Sequence, residues 1–322
     1  MALPRPLARL FTPHRAFDGD STPLSVAVGI VLLVAAASAV SLSMAATPIA
    51  AAVDGTVTVD NPSRPSEFVC EPSTDDAIEW NDETPESCTQ PKQLERPLAG
   101  YAQSAVSGLA VPAFVSVVSA WLLSTAWLFA FGGDRENGSL ATLAGDTSWA
   151  LVPLLVPAAV RPLLLGRTAE RHQYGGTIES VEATARSAAA GAPLDPLFVV
   201  SAVALLWSGG ILAVILQRRR DATRTEAAVV AAVPVVAVLV ASYVQNPSPE
   251  PELTAVGSLF LLFGLLYALF PVQLIRFNAR FELIGFRGDV EPEDWYVALH
   301  RFGGLLAACV GFLITAAPTL LV

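Results

Sequence analysis

Few side chains in this chain are equipped for chemistry, and they do not gather. Its three histidines, His14, His172 and His300, are scattered along the whole length. An intramembrane metalloprotease needs histidine and glutamate ligands at helical spacing, and no HExxH-like pair occurs; nor does a GxSxG elbow or a phosphate-cradling glycine loop. No catalytic residue, metal-ligand set or cofactor is therefore expected. Of the three cysteines, Cys70 and Cys88 share one acidic segment, and neither has a second cysteine or a histidine at ligand spacing, so a metal site is disfavoured. A Cys70–Cys88 disulfide is the expectation if that segment faces an oxidising compartment, with two free surface thiols as the alternative. Cys309, within an apolar run, reads as a packing residue. The leading ionisable candidate is Arg161, set between Pro157 and Pro162 in an otherwise apolar stretch. An ionisable residue inside a membrane helix is a functional candidate by default, and the competing reading is an arginine that snorkels to the interface. His300 and Arg301, near Glu291, Glu293 and Asp294, form either an ion-pair network or a solvated helix start. No carboxylate falls in the middle of an apolar run, which argues against a proton-coupled pump.

The elements that carry these residues are long apolar runs. Seven are counted: 24–46, 108–131, 149–166, 196–217, 227–244, 255–275 and 302–322. About twenty apolar residues span the hydrocarbon core as a helix, and lipid leaves no alternative partner for the backbone. Strands of a transmembrane barrel alternate in polarity, and these runs do not. The fold expected is all-α, a polytopic transmembrane helical bundle with about seven transmembrane helices. The third run is the weakest, broken by Pro153, Pro157, Arg161 and Pro162.

Charge places the ends. Nineteen Lys+Arg face 29 Asp+Glu, and Lys92 is the one lysine. Such acidity argues against a nucleic-acid partner, which needs clustered basic residues. It resembles the composition of proteins from salt-loving archaea, in which molar salt screens self-repulsion; codon bias in a GC-rich genome explains the Ala and Arg content equally well. Arg5, Arg9 and Arg15, then Arg218, Arg219, Arg220 and Arg224, then Arg276, Arg280 and Arg287 fall on one side of a seven-helix chain. By the positive-inside rule that side is the cytoplasm, which makes this a multi-pass cell-membrane protein with its carboxyl terminus outside. Arg167, Arg171 and Arg186 dissent mildly. The same orientation puts the acidic loop 54–98, with Cys70 and Cys88, outside. The first run is read as an uncleaved anchor because it is longer than the core of a signal peptide, the alternative.

Three blocks follow: a cytoplasmic arm, 1–23; a five-helix membrane domain, 24–245; and a two-helix extension, 246–322, after a proline-rich linker. The arm interleaves Leu7, Leu10, Phe11 and Phe17 with Arg5, Arg9 and Arg15, a pattern suited to the lipid interface or to an ordinary flanking arm. Close approach of helices in lipid depends on small residues, so Gly303, Ala307, Gly311 and Thr315, each four apart, are the expected packing seam of the last helix. Trp121, Trp127, Trp149 and Trp295 read as interface anchors.

The segment Arg9-Leu-Phe-Thr-Pro-His-Arg-Ala-Phe17 is similar to the Leu-Phe/Pro/Phe lead-in of the Yip1 family. Gly132-Gly133, Gly138-Ser139-Leu140, Ser148-Trp149-Ala150 and Pro153 resemble that family's glycine turn between its second and third helices. Trp207, a basic turn and an Ala/Val/Pro helix extend the resemblance over roughly residues 5–245. It implies a five-helix integral bundle with a cytoplasmic amino terminus. Eukaryotic relatives bind small GTPases and act in vesicle traffic; this chain lacks their long amino-terminal region. The tail Trp295–Gly304 also resembles short two-span membrane proteins of unknown function. The leading functional expectation is a non-catalytic membrane scaffold, with the lipid bilayer and a membrane or cytoplasmic protein as partners and self-association left open. A small-solute channel or transporter using Arg161 is the alternative.

Overall fold

A computed structural model describes residues 9–17, 20–70, 85–131, 139–190, 196–243, 251–282 and 292–316. The chain is mostly helical. In order come α1 (Leu24–Ala51), β1 (Thr56–Asp60), β2 (Gln93–Pro97), α2 (Leu98–Ser107), α3 (Ala110–Phe131), α4 (Leu140–Thr147), a 3-10 stretch (Ser148–Leu154) and α5 (Leu155–Thr168). Then follow α6 (Ile178–Ala190), α7 (Pro196–Arg219), α8 (Arg224–Tyr243), α9 (Pro251–Leu269), α10 (Pro271–Glu282) and α11 (Asp294–Ala316). Among the described residues five segments are long and apolar enough to cross a membrane: Leu24–Ala51, Leu98–Phe131, Leu140–Arg171, Pro196–Arg219 and Trp295–Phe312. Helices α8 and α9 have 20 and 19 residues.

Several boundaries differ from those expected, each for a local reason. The third span begins at Leu140, not Trp149, because Ser139 caps the helix there: its Oγ accepts from the Thr142 N–H at 3.2 Å. Pro153 cannot donate an intrahelical hydrogen bond, and the chain passes it in the tighter 3-10 form. The sixth run is divided at Pro271, where α9 has ended and the amphipathic α10 begins with proline in its first turn. A two-stranded antiparallel ribbon, β1 paired with β2, is an element the all-α expectation lacked. It closes the base of the acidic loop. Above it a disulfide joins Cys70 and Cys88, and Lys92 Nζ donates to Glu67 Oε1 at 2.7 Å. That hydrogen bond, with the ammonium charge behind it, holds the Glu67 carboxyl below its ordinary range.

The disulfide closes a loop with a sequence separation of 18, a constraint worth about 3 kcal/mol in the chain-entropy model. Reducing agent should shift gel mobility, and two thiols should label only after reduction. Labelling of both beforehand would remove the cross-link from the native protein.

Buried side chains collect toward two ends. At one, the hairpin end, Ala45, Ala46 and Ile49 of α1 pack with α2, Leu165 and Ala169, and with Val181 and Ala185 of α6. At the other, the arm end, Phe17 packs with Leu128, Leu143 and Ile215. Between them α1 meets α3 and the 3-10 stretch. Helices α9 and α11 pack together along their length and lean on Ala126 and Ala130 of α3.

The seam between α9 and α11 corrects the expected stripe. A Cβ at Gly304 would lie 2.6 Å from the Ala268 amide nitrogen and 2.7 Å from the Gly264 carbonyl oxygen. Gly304, Ala308 and Gly311 therefore form the contact line. Of the predicted four, only Gly311 belongs to it. Gly303 has open space around its Cβ position, and it lines an apolar groove with Ala307; Thr315's side chain lies outside what is described. The reason is the helical period. A step of four residues overshoots a full turn by about 40°, so four such positions wind away from any straight partner, whereas steps of four and then three stay close to one line.

Candidate functional site

The densest polar structure lies at the arm end, where the chain before α1, the 140–149 segment and the last turn of α7 converge. Asp146 is fully buried. Its Oδ1 accepts from the Thr22 N–H at 3.0 Å and from Thr22 Oγ1 at 2.8 Å, and its Oδ2 accepts from Arg219 Nε at 2.8 Å. Gly145 makes this approach feasible, since any Cβ there would collide with the Thr22 carbonyl. Thr22 Oγ1 in turn accepts from Trp149 Nε1 at 3.0 Å and from Arg9 Nη1 at 2.5 Å. The Arg9 guanidinium also lies over the Trp149 and Phe17 rings. Trp207 Nε1 donates to the Leu10 carbonyl at 3.1 Å. The arm is thus pinned to protein: Phe17 is fully buried and Leu10 half-buried, while Phe11 stays 60% exposed. Of its other patterned residues, Arg5 and Leu7 lie outside the described residues.

Beside this network Arg220 is wholly buried, its Nη2 donating to the Phe129 carbonyl at 3.1 Å. A cation on the last carbonyls of α3 also opposes the negative end of that helix. Asp221, at φ 48°, reverses the chain toward α8; aspartate tolerates that left-handed conformation better than most residues. The tryptophans read as interface anchors serve mainly as donors inside the protein: Trp121 to the Ala144 carbonyl and Trp127 to the Val230 carbonyl, both at 3.0 Å. Trp295 is exposed.

Arg161 sits apart from this network. It is half-buried on α5, and its Nε finds no hydrogen-bond partner among the described residues. His300 stacks near Tyr267 at the groove between α9 and α11. No group of three or more His, Cys, Asp or Glu side chains suited to a metal occurs among the described residues. Asp146 is a buried carboxylate close to the arm-end start of the Leu140–Arg171 segment, not in its middle. It has a signal in the sequence, as the one acidic residue between Leu140 and Gly166, and a run begun at Trp149 leaves it outside.

The elements that hold this network are the ones a family model describes. The Yip1 domain matches residues 9–245, about three quarters of the chain, from the pinned arm to the end of α8. The chain belongs to the Yip1 family. Yip1-domain proteins are generally non-enzymatic membrane proteins. The match begins at Arg9, so the whole of the Arg9–Thr22–Asp146–Arg219 network lies inside the Yip1 domain. Residues 256–318, covering most of α9 through α11, match a second model, a family of unknown function (DUF6199). No curated protein and no solved structure matches the chain.

Proposed function

We propose that this Yip1-domain protein is a non-catalytic membrane scaffold that recruits or organises a protein partner at its arm end. The observation that carries the reading is the pinned arm. The charged groups there, Asp146, Arg219 and Arg9, are spent on holding the arm against the bundle, which leaves them engaged rather than open to a solute. The same end offers Phe11, Arg218 and Arg224 on its exposed face. A rigid platform with an aromatic and basic rim suits an acidic or amphipathic protein surface.

In this proposal α8 and α9 also cross the bilayer, making seven spans: five in the Yip1 domain and two in the 246–322 extension. The arm end faces the cytoplasm, as the basic clusters ask, and the disulfide-closed acidic loop and the carboxyl terminus face outward from the cell membrane. The acidic, lysine-poor surface suits a cell interior or medium of high salt.

The test is a photoreactive phenylalanine analogue at position 11, activated in native membranes. The expected result is one reproducible protein adduct, diminished by Arg218→Glu. Adducts to lipid or to copies of this chain alone would turn the assignment toward the channel or transporter reading.

A further inference from the structure

We propose that the seam between α1 and α5, toward the hairpin end, is an oxyanion-binding site built on Arg161. Five buried side-chain polar atoms lack a hydrogen-bond partner among the described residues. Two of them belong to Arg219 and Arg301, whose side chains are engaged through further interactions. The other three are Ser41 Oγ, Arg161 Nε and Tyr174 Oη. Native proteins rarely leave such atoms empty, and Ser41 and Arg161 stand at one level of the α1–α5 seam.

Their level follows from the packing. Helix α1 and the run from Leu140 to Arg171 are parallel neighbours. Thr22 meets Asp146 at the arm end, Val31 and Val34 share a cluster with Leu151, and Ala45 and Ile49 share another with Leu165 and Ala169. Ser41 falls between the last two layers on α1, and Arg161 falls between the same layers on its partner. Each stands ten residues short of its segment's end, at Ala51 and at Arg171, or roughly 15 Å at the helical rise. Tyr174 lies past the end of that segment, against the hairpin-end cluster, and is not part of the site.

The chemistry of the pair is one-sided. A guanidinium is permanently charged and only donates, and the Ser41 hydroxyl can donate. Helix α1 carries no charged residue and α5 no acidic one, so the counter-charge is not supplied by either wall. A guanidinium whose Nε is buried without an acceptor is unfavourable, and the guanidinium fork matches the oxygens of a tetrahedral phosphate. Helix α1, 28 residues long, reaches about 42 Å and exceeds a hydrocarbon core of about 30 Å. Arg161 therefore starts less deep than its distance from the helix end suggests, and a long side chain covers most of the remainder. The headgroup phosphate of a phospholipid in the leaflet at the hairpin end is the oxyanion best placed to meet it. The site does not rest on the scaffold reading.

Native mass spectrometry of protein extracted in mild detergent, with Arg161→Gln and Ser41→Ala alongside, tests this. Wild type should retain a phospholipid through delipidation. Arg161→Gln should lower its occupancy about tenfold or more, as for loss of a charge-assisted hydrogen bond, and Ser41→Ala should lower it by a smaller factor. A second arm titrates inorganic phosphate into lipid-free micelles and reads thermal shift. A shift in wild type that Arg161→Gln lacks, without a lipid difference, keeps the site and assigns it to a free anion. Equal lipid retention and equal phosphate response in all three proteins overturns the proposal. If Arg161→Gln shows no folded transition, Ser41→Ala, which removes one oxygen, decides alone by the same two readings.

Discussion

Asp146→Ala should destabilise the protein by roughly 3–5 kcal/mol, the range for removing one partner of a buried ion pair, and should free the arm. Three donors lose their acceptor at once: the Thr22 amide, the Thr22 hydroxyl and Arg219 Nε. The amide has no ready substitute, since Thr22 is buried. The loss should appear as a lower unfolding midpoint in detergent micelles and as faster tryptic cleavage after Arg9 and Arg15. Asp146→Asn keeps the shape and one acceptor oxygen, so its loss should be smaller. Adding Arg219→Met to Asp146→Ala should recover part of the stability, because loss of the carboxylate that faces a partly buried cation is what makes the single change severe. If Asp146→Ala melts like wild type with its arm still protected, the network is not what holds the arm.

Gly304→Leu should separate α9 from α11, whereas Gly303→Leu should pass almost unnoticed. At Gly304 the new side chain meets backbone atoms of Gly264 and Ala268, which cannot step aside as a side-chain tip does. Overpacking of this kind costs about 1–3 kcal/mol and more when rigid backbone is struck. At Gly303 nothing lies within 4 Å of the Cβ position, and changes at such sites stay within about 0.5 kcal/mol. Unfolding midpoints of the two variants give the comparison directly. Equal losses at both positions, or a larger one at Gly303, would return the seam to the four-apart stripe.

The bundle was readable because apolar length is a strong signal and lipid permits few answers to it. The Cys70–Cys88 pairing was expected from two cysteines sharing one acidic loop, and a disulfide joins them. The seam was missed because a four-residue repeat catches the eye while the packed line through Gly304, Ala308 and Gly311 mixes two intervals. Asp146 stands out locally as a lone carboxylate at the head of an apolar run, but its network does not. Its partners, Thr22 and Arg219, lie 124 and 73 residues away in sequence, and no local pattern marks a pair that only packing brings together. The arm shows the same limit: Leu10 and Phe17 alternate with arginines as an interfacial helix would, yet they are claimed by Trp207 and by the Leu128–Leu143–Ile215 cluster. The ribbon β1–β2, five residues a side, is too short to stand out within a charged loop.

The pinned arm also sets an order of events during biogenesis. Leu10 waits for Trp207, a separation of 197 residues. At ribosomal speeds of 5–20 residues per second Leu10 stays unclaimed for about 10–40 s after it emerges. Phe17 meets Leu128 and Leu143 before then, but through that interval Leu10 and Phe11 lack their Trp207 contacts. They need the bilayer surface or a chaperone as a temporary host, and completion of the fourth membrane segment is the moment at which that host is dismissed.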